Sequence, residues 1–315
     1  ERRPRVILFY EEDGNWKEAV LMGFKITIAG LGLMGASLAK ALRGWRNAAI
    51  CGVETDAAVL ARAQAEGVID GGYVLDETNA REALDADLVV IALYPRAALD
   101  FLRSCARCAK EGALWSDLTG IKGPLIEEAR RSMPEGTEFL GAHPMAGRES
   151  SGYAASDGKL FTGCNFIITP HEKNSHGALS LLREMAAYTG AARVIETTPE
   201  IHDRMIAYTS QMAHVLAAAI LNSGLLFESK GFEGGSFRDL TRVGTLNPEM
   251  WSELFSMNAA PLGGVLAELE DNIAALRRLV EAGDQSELAA ALAASTRRKE
   301  EYLKTPYAAA KEAAR

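Results

Sequence analysis

A doubly wound α/β fold, with a mostly parallel sheet followed by an all-α helical region, is what this sequence predicts, on three observations. Between Lys25 and Thr198, short apolar runs of strand character alternate with stretches of helical period. A G-x-G-x-x-G segment joins the first of these strands to the first of these helices. After about Thr198 the strand-like runs stop and only helical patterns remain. Repeated βαβ units with right-handed crossovers build a parallel sheet covered on both faces.

The elements follow in order. KITIAG is a short β-rich run, and LMGASLAKALRG carries apolar residues at helical spacing before Gly44, a helix stop. AAICGVE is the next strand. DAAVLARAQAEG is the next helix, opened by Asp56 as N-cap and closed by Gly67. DLVVIAL is nearly all apolar, as a strand buried on both faces should be. RAALDFLRSCARCAK, ALWSDL, KGPLIEEARRSM and EFLGAH continue the alternation, and GCNFIITP, SHGALSLLREMAAYTG and ARVIET complete the sheet. From Pro199 a single long helix is expected through Glu228, apolar on most sides (Met205, Ile206, Met212, Val215, Leu216, Ile220, Leu225) and so in need of burial, partly by a second subunit. Ser236 and Asp239 fit a capping box, and Asn247-Pro248 fits an N-cap followed by proline at the first helical position. Two further helices run over 261–283 and 285–304. Residues 1–24 precede this scheme as an extension with no assignable role: RVILFY has strand character, and the residues after it show no clear period.

Composition narrows the function classes. The 315 residues are 48% hydrophobic and 24% charged, normal for a globular protein. The formal net charge of -8, with both signs interleaved, argues against a nucleic-acid or membrane-surface partner but leaves room for a small anion in a local basic pocket. No apolar run approaches the roughly 20 residues needed to span a bilayer, and no signal peptide is evident. The four cysteines (Cys51, Cys105, Cys108, Cys164) do not make a disulfide framework, so the cytoplasm is the expected compartment. Cys105 and Cys108 form a C-x-x-C pair inside an expected helix, with no further ligands to complete a zinc site, and no metal is expected.

The glycine segment, Gly30-Leu31-Gly32-Leu33-Met34-Gly35, is informative because of its place between strand and helix. Gly30 permits the tight turn, Gly32 lets the backbone approach a pyrophosphate, and Gly35 allows close helix–strand packing, as in the Rossmann-type dinucleotide site. The pyrophosphate would rest on amide N–H groups at the helix N-terminus. Glu54 ends the second strand about 20 residues further on, where an acidic side chain binds the adenine ribose hydroxyls. Thr55 and Asp56 follow it, with no adjacent cation for a 2′-phosphate, so NAD is the expected cofactor rather than NADP.

Further along, residues 141–147 (GAHPMAG) follow a strand at the carboxyl edge of the expected sheet, with Glu149 and Ser151-Gly152 behind them. Together with Asp117-Leu118-Thr119-Gly120-Ile121-Lys122, Leu160-Phe161, Ile168-Thr169-Pro170, His202-Asp203, Ser210 with His214, and the run GGSFRDLTRVGTLNPEMW, this series resembles the TyrA family of prephenate and arogenate dehydrogenases over most of residues 25–258. The resemblance implies NAD-dependent oxidative decarboxylation of a cyclohexadienol, with residues 199–315 as a substrate-binding and dimerisation domain. It implies that His143 is the catalytic group that takes the ring hydroxyl's proton. It also implies that Arg242 and His214 bind substrate carboxylate, with Ser210 nearby, the backbone at Gly235 lining the pocket and Glu149 at its mouth. Many members carry a serine where this chain has Gly120, so Thr119, a water or His143 alone must hold the hydroxyl. The sequence does not decide between prephenate and arogenate.

Each assignment has a plainer rival. His143 could serve as a mere hydrogen-bonding loop residue, His214 as a satisfied core histidine, and Arg242 as the i, i+3 ion-pair partner of Asp239. His171 and His176 flank a polar loop and are expected to be solvated. A different hydroxyacid dehydrogenase of similar layout generally places a catalytic lysine on the long helix, where this chain has Ser210, Gln211 and His214. A non-catalytic NAD-binding protein would have little use for His143 and Arg242.

Overall fold

The computed structural model describes residues 5–10, 16–21 and 23–307. Strands β1 (Arg5–Tyr10) and β2 (Trp16–Leu21) pair antiparallel as a two-stranded sheet. β2 falls where no period was legible, and residues 11–15 of the same stretch lie outside the described residues.

An eight-stranded sheet follows, in the order β10-β9-β8-β7-β6-β3-β4-β5. Its strands are β3 (Lys25–Ala29), β4 (Ala49–Val53), β5 (Gly71–Tyr73), β6 (Leu88–Ile91), β7 (Leu114–Asp117), β8 (Glu138–Pro144), β9 (Asn165–Thr169) and β10 (Arg193–Glu196). All neighbours are parallel except β8 and β9. The fold is therefore the doubly wound, mostly parallel sheet that the alternation predicts. The order reverses between β3 and β6, and such a switch point opens a crevice at the carboxyl ends of the strands.

The connecting helices include α1 (Leu33–Ala41), α2 (Ala57–Ala65), the one-turn α3 (Ala80–Ala83), α4 (Pro95–Cys105), α5 (Gly123–Ser132) and α6 (His176–Tyr188). The Asp56 carboxylate accepts the Ala58 N–H and the Ser175 hydroxyl oxygen accepts the Ala178 N–H, each cap contributing about 1 kcal/mol. Gly67 turns the chain after α2 at φ +68°. The Cys105–Cys108 pair straddles the end of α4 and a following 3₁₀ turn rather than lying inside one helix, and its thiols are free.

The expected long helix is three pieces: α7 (Pro199–Ile206), a π-helical turn (Ala207–Gln211) and α8 (Met212–Leu221). It ends before Leu225 because turns replace helix over 224–231; Leu225 is exposed, and so is Met205 in α7. α9 (Gly235–Thr241) starts after Gly234 with no side-chain cap, so Ser236 lies within the helix and forms no capping box with Asp239. α10 (Pro248–Met257) does open on Asn247, which accepts the Met250 N–H.

The chain divides into two compact units, 1–259 and 260–315. In the first, α7 packs on α5 and α10 on α4, which brings the helices over 199–257 onto the sheet's own helices. The second holds α12 (Gln285–Lys304) and nearly all of α11 (Ala259–Ala282). Among the described residues no helix is long and apolar enough to cross a membrane.

Candidate active site

The glycine loop has the geometry its spacing predicts. Gly30 sits at φ +92°, and a Cβ there would lie 2.6 Å from the Ala92 carbonyl oxygen. A Cβ on Gly35 would lie 1.9 Å from the Gly30 carbonyl oxygen, so any side chain would force the loop off the helix. At Gly32 a Cβ would meet nothing within 4 Å, which leaves open space over the start of α1. That start has no side-chain cap and no acidic residue in its first turn. The N–H groups around Leu33 and Met34 therefore face a cradle suited to an anion. Glu54 stands just past β4 and accepts the Leu31 N–H at 2.9 Å, which ties the end of that strand to the loop. These residues fit a dinucleotide.

His143 lies in β8, near its carboxyl end, half-buried. Its Nδ1 is 2.9 Å from His202 Nε2, and His202 Nδ1 is 2.7 Å from Asp203 Oδ1. Asp203 is buried and accepts the backbone N–H groups of Lys122 and Gly123, both at 2.8 Å. An ionised Asp203 fixes His202 as the Nδ1–H tautomer, so His202 Nε2 accepts from His143 Nδ1–H. His143 Nε2 is then left with a free lone pair. Burial, with His202 and the Lys122 ammonium nearby, holds the His143 pKa well below its usual 6.5, and burial lowers that of His202 as well. Both rings are neutral near pH 7, which leaves the His143 Nε2 lone pair free to accept a proton.

Behind them, Lys122 is fully buried against Asp117, with Thr119 Oγ1 at 3.4 Å from its Nζ. The Thr119 hydroxyl bonds Asp117 and the Ile121 carbonyl, so it is committed to this interior cluster rather than to a substrate hydroxyl. A Cβ on Gly120 would lie 3.9 Å from His143 Cε1 and 3.3 Å from Leu254 Cδ2. Position 120 thus borders the His143 ring, and α10 closes over it through Leu254.

The helical side supplies a second histidine and an arginine. His214 on α8 donates from Nδ1 to the Ser210 carbonyl oxygen at 2.9 Å and stacks on Trp251 of α10, with ring centroids 3.8 Å apart. It is half-buried and bonded at Nδ1, so it is not a fully satisfied core histidine. Burial lowers its pKa, and the Arg242 charge adds to that. Ser210 lies in the π-helical turn, a widened turn common at functional sites. Arg242 Nη1 donates to Glu149 Oε1 at 3.0 Å, so its partner is Glu149 and not Asp239. Gly244 lets this turn press onto α8, where a Cβ would lie 2.4 Å from Leu221 Cδ1. Gly235 opens α9 in the open, with nothing within 4 Å of a Cβ.

His202, Asp203, Lys122 and Trp251 were given no role from the sequence. Their roles come from side chains meeting across the fold; the motifs that hold them (117–122, 202–203 and the run ending at Trp251) were the signals that could have been followed. His171 also departs from expectation: it is half-buried, with Nε2 3.0 Å from the Phe139 carbonyl oxygen. It borders two open clefts of about 510 and 540 Å³ beside α5, neither of which includes His143.

Comparison with known proteins places these features in a family. Residues 38–196 match the model described as prephenate dehydrogenase, nucleotide-binding domain, and residues 198–294 match prephenate dehydrogenase, dimerization domain. A prephenate dehydrogenase of Bacillus subtilis is 30% identical over 270 residues, covering 84% of this chain and 72% of the relative. A cyclohexadienyl dehydrogenase of Zymomonas mobilis is 27% identical over 265 residues, covering 82% and 89%. Among solved structures, the prephenate dehydrogenase from A. aeolicus, in complex with hydroxyphenyl propionate and NAD+, superposes with a TM-score of 0.80 at 26% identity, over 90% of this chain and all 100% of that one. Synechocystis arogenate dehydrogenase, at 24% identity and a TM-score of 0.76 over 89% and 100%, shares the fold. The α/β layer is thus a nucleotide-binding domain, in agreement with the NAD expected from Gly30–Gly35 and Glu54.

Proposed function

The chain belongs to the prephenate dehydrogenase family, and from that premise we propose that it oxidises prephenate with NAD and yields 4-hydroxyphenylpyruvate and CO2, a step of tyrosine biosynthesis. The observation that carries the reading is the free Nε2 of His143, a neutral base at the carboxyl edge of a nucleotide-binding sheet. Bound NAD supplies the hydride acceptor. His143 Nε2 takes the proton of the ring hydroxyl as the carbinol C–H bond breaks and the C–O bond becomes a carbonyl. In the resulting dienone the bond to the ring carboxylate breaks, its electron pair enters the ring, and CO2 leaves. The electrons arrive at the oxygen, which regains the proton from His143 as a phenol.

Arg242 suits a dianionic substrate because a guanidinium keeps donors to spare beyond its single bond to Glu149. His214 would add a donor at Nε2 only on taking a proton, which an incoming carboxylate favours. Gly235 and Ser210 line the same side, and Glu149 guards the entrance. The helical region from residue 199 carries the substrate contacts and a homodimer interface, as the dimerization-domain match suggests. The four free cysteines favour the cytoplasm.

An assay for NADH formation offers prephenate and arogenate, each with NAD and with NADP. Turnover of prephenate with NAD is expected to be the fastest. Arogenate preference, which the Synechocystis likeness raises, would overturn the substrate, and no NADH from either would overturn the reading.

A further inference from the structure

The His143 ring makes its hydrogen bond to a second histidine rather than to a carboxylate or a backbone carbonyl. His202 has an exposure of 1% and is bonded at both nitrogens, to His143 on one side and Asp203 on the other. Asp203 in turn is held by two backbone N–H groups at the start of α5, and its own carbonyl accepts Asn258 Nδ2 at 2.9 Å. Asn258 also donates to Gln211 Oε1 at 2.7 Å, and Gln211 Nε2 to the Leu254 carbonyl oxygen at 3.1 Å. Buried polar groups so fully bonded have little freedom to rotate.

We propose that His202 is a positioning residue for His143: backed by Asp203, it holds the His143 ring as the Nδ1–H tautomer, with Nε2 aimed at the reacting hydroxyl. This rests on the reading of His143 as the base. An imidazole alone has two tautomers of similar energy and can turn about its Cβ–Cγ bond. The wrong tautomer would put N–H where a lone pair must receive the proton. His202 Nε2 removes that choice, since it accepts but does not donate while Nδ1–H is committed to Asp203. The charged groups around the two rings are Asp203 on α7 and the Lys122–Asp117 pair at the β7–α5 connection, whose charges largely offset each other.

The test compares His202→Leu, which leaves His143 Nδ1 without an acceptor, and His202→Gln, whose amide oxygen can replace Nε2. Kinetics with NAD and the substrate turned over in the assay above are read beside the ¹⁵N chemical shifts of the imidazoles. His202→Leu should lower kcat by roughly 10²-fold, the scale of a misplaced catalytic group, with KM and NAD affinity within a few-fold. His202→Gln should recover a substantial part of that loss. The acid limb of the rate should also move in the Leu variant, because a neighbour that helps hold the His143 pKa down is gone. In the unsubstituted protein the spectra should show His143 as Nδ1–H, and in the Leu variant a mixture. A His143 found as Nε2–H in the unsubstituted protein overturns the proposal even if the Leu variant does not fold. So does a Leu variant that keeps both tautomer and kcat, or one that loses NAD affinity as steeply as kcat. If His143→Asn leaves the hydride step intact, it is the assignment of the base that fails, and the tautomer readout stands apart from it.

Discussion

At the scale of single residues, His143 and Arg242 are asked to do different work, and their surroundings differ accordingly. His143→Asn keeps hydrogen-bonding capacity but cannot accept a proton, so the hydride step, measured before the steady state, should slow by roughly 10²–10⁴-fold with NAD affinity intact. The unsubstituted enzyme should hold its rate at pH 6.5 and lose it only further into acid, because the folded ring's pKa lies well below that value. The same depression has a stability consequence. The unfolded chain takes up the proton first, so the stability is fully present above about pH 6.5 and is lost as pH falls below it. Thermal melts of the two proteins across this range should show a shallower acid decline in the variant. Arg242 sits in the open, paired with an equally open Glu149, and such a pair contributes under about 1 kcal/mol. A substrate carboxylate can therefore displace Glu149 easily. Arg242→Gln should raise KM by roughly 10–10²-fold, the size of a hydrogen bond to a charged group, with melting temperature and NAD affinity unchanged. A lower melting temperature with normal KM would make it a surface ion pair only.

At the scale of elements, the β3–loop–α1 unit with Glu54 was readable because Gly30 and Gly35 answer local steric demands visible in the spacing. Glu54→Ala removes both a ribose acceptor and a charge that repels a 2′-phosphate, so NAD should bind more weakly while discrimination against NADP relaxes. Unchanged constants for both cofactors would show that Glu54 does no more than brace the Leu31 N–H. The strand–helix alternation was equally legible, since β6 is buried throughout and α2, α6 and α10 carry side-chain caps. Other elements were not. β5 is three residues, Gly71–Tyr73, too short for a period and poor in strand formers, and it exists because β4 offers it an edge. The π-helical turn at Ala207–Gln211 has no compositional mark: it widens a helix whose hydrophobic pattern reads as continuous. The stop at Leu221 was missed because apolar residues continue into the turns that follow. The His143–His202–Asp203 chain was out of reach for a different reason. His143 and His202 are 59 residues apart in sequence, and the docking of α7 beside β8 brings them to hydrogen-bonding distance.

At the scale of the whole molecule, apolar surface is the unresolved demand. In the single chain Phe227 and Phe232 are 88% and 87% exposed, and Leu225 and Leu240 are each more than half exposed. Within the second unit Ile273, Val280 and Leu292 are likewise half or more exposed, on the helices α11 and α12. Single exposed apolar residues are ordinary on a protein surface, but two nearly bare phenylalanines only five positions apart are not. Covering a phenylalanine is worth about 1.5–3 kcal/mol, so a few such side chains outweigh much of the entropy lost on association. Closed two-fold pairs are the commonest way to bury such surface, and residues 198–294, which include all of these side chains, are the ones that match a dimerization domain. The protein should therefore run as a homodimer by light scattering at micromolar concentration. Phe227→Asp together with Phe232→Asp should shift it towards a mass of 33.9 kDa. NAD affinity should survive the change, because the Gly30–Gly35 loop and Glu54 belong to the α/β layer. A monomer of full activity before any substitution would show that these side chains need no partner. A dimer unmoved by the double change would place the interface elsewhere on the helical region, with the exposed faces of α11 and α12 the next to be altered.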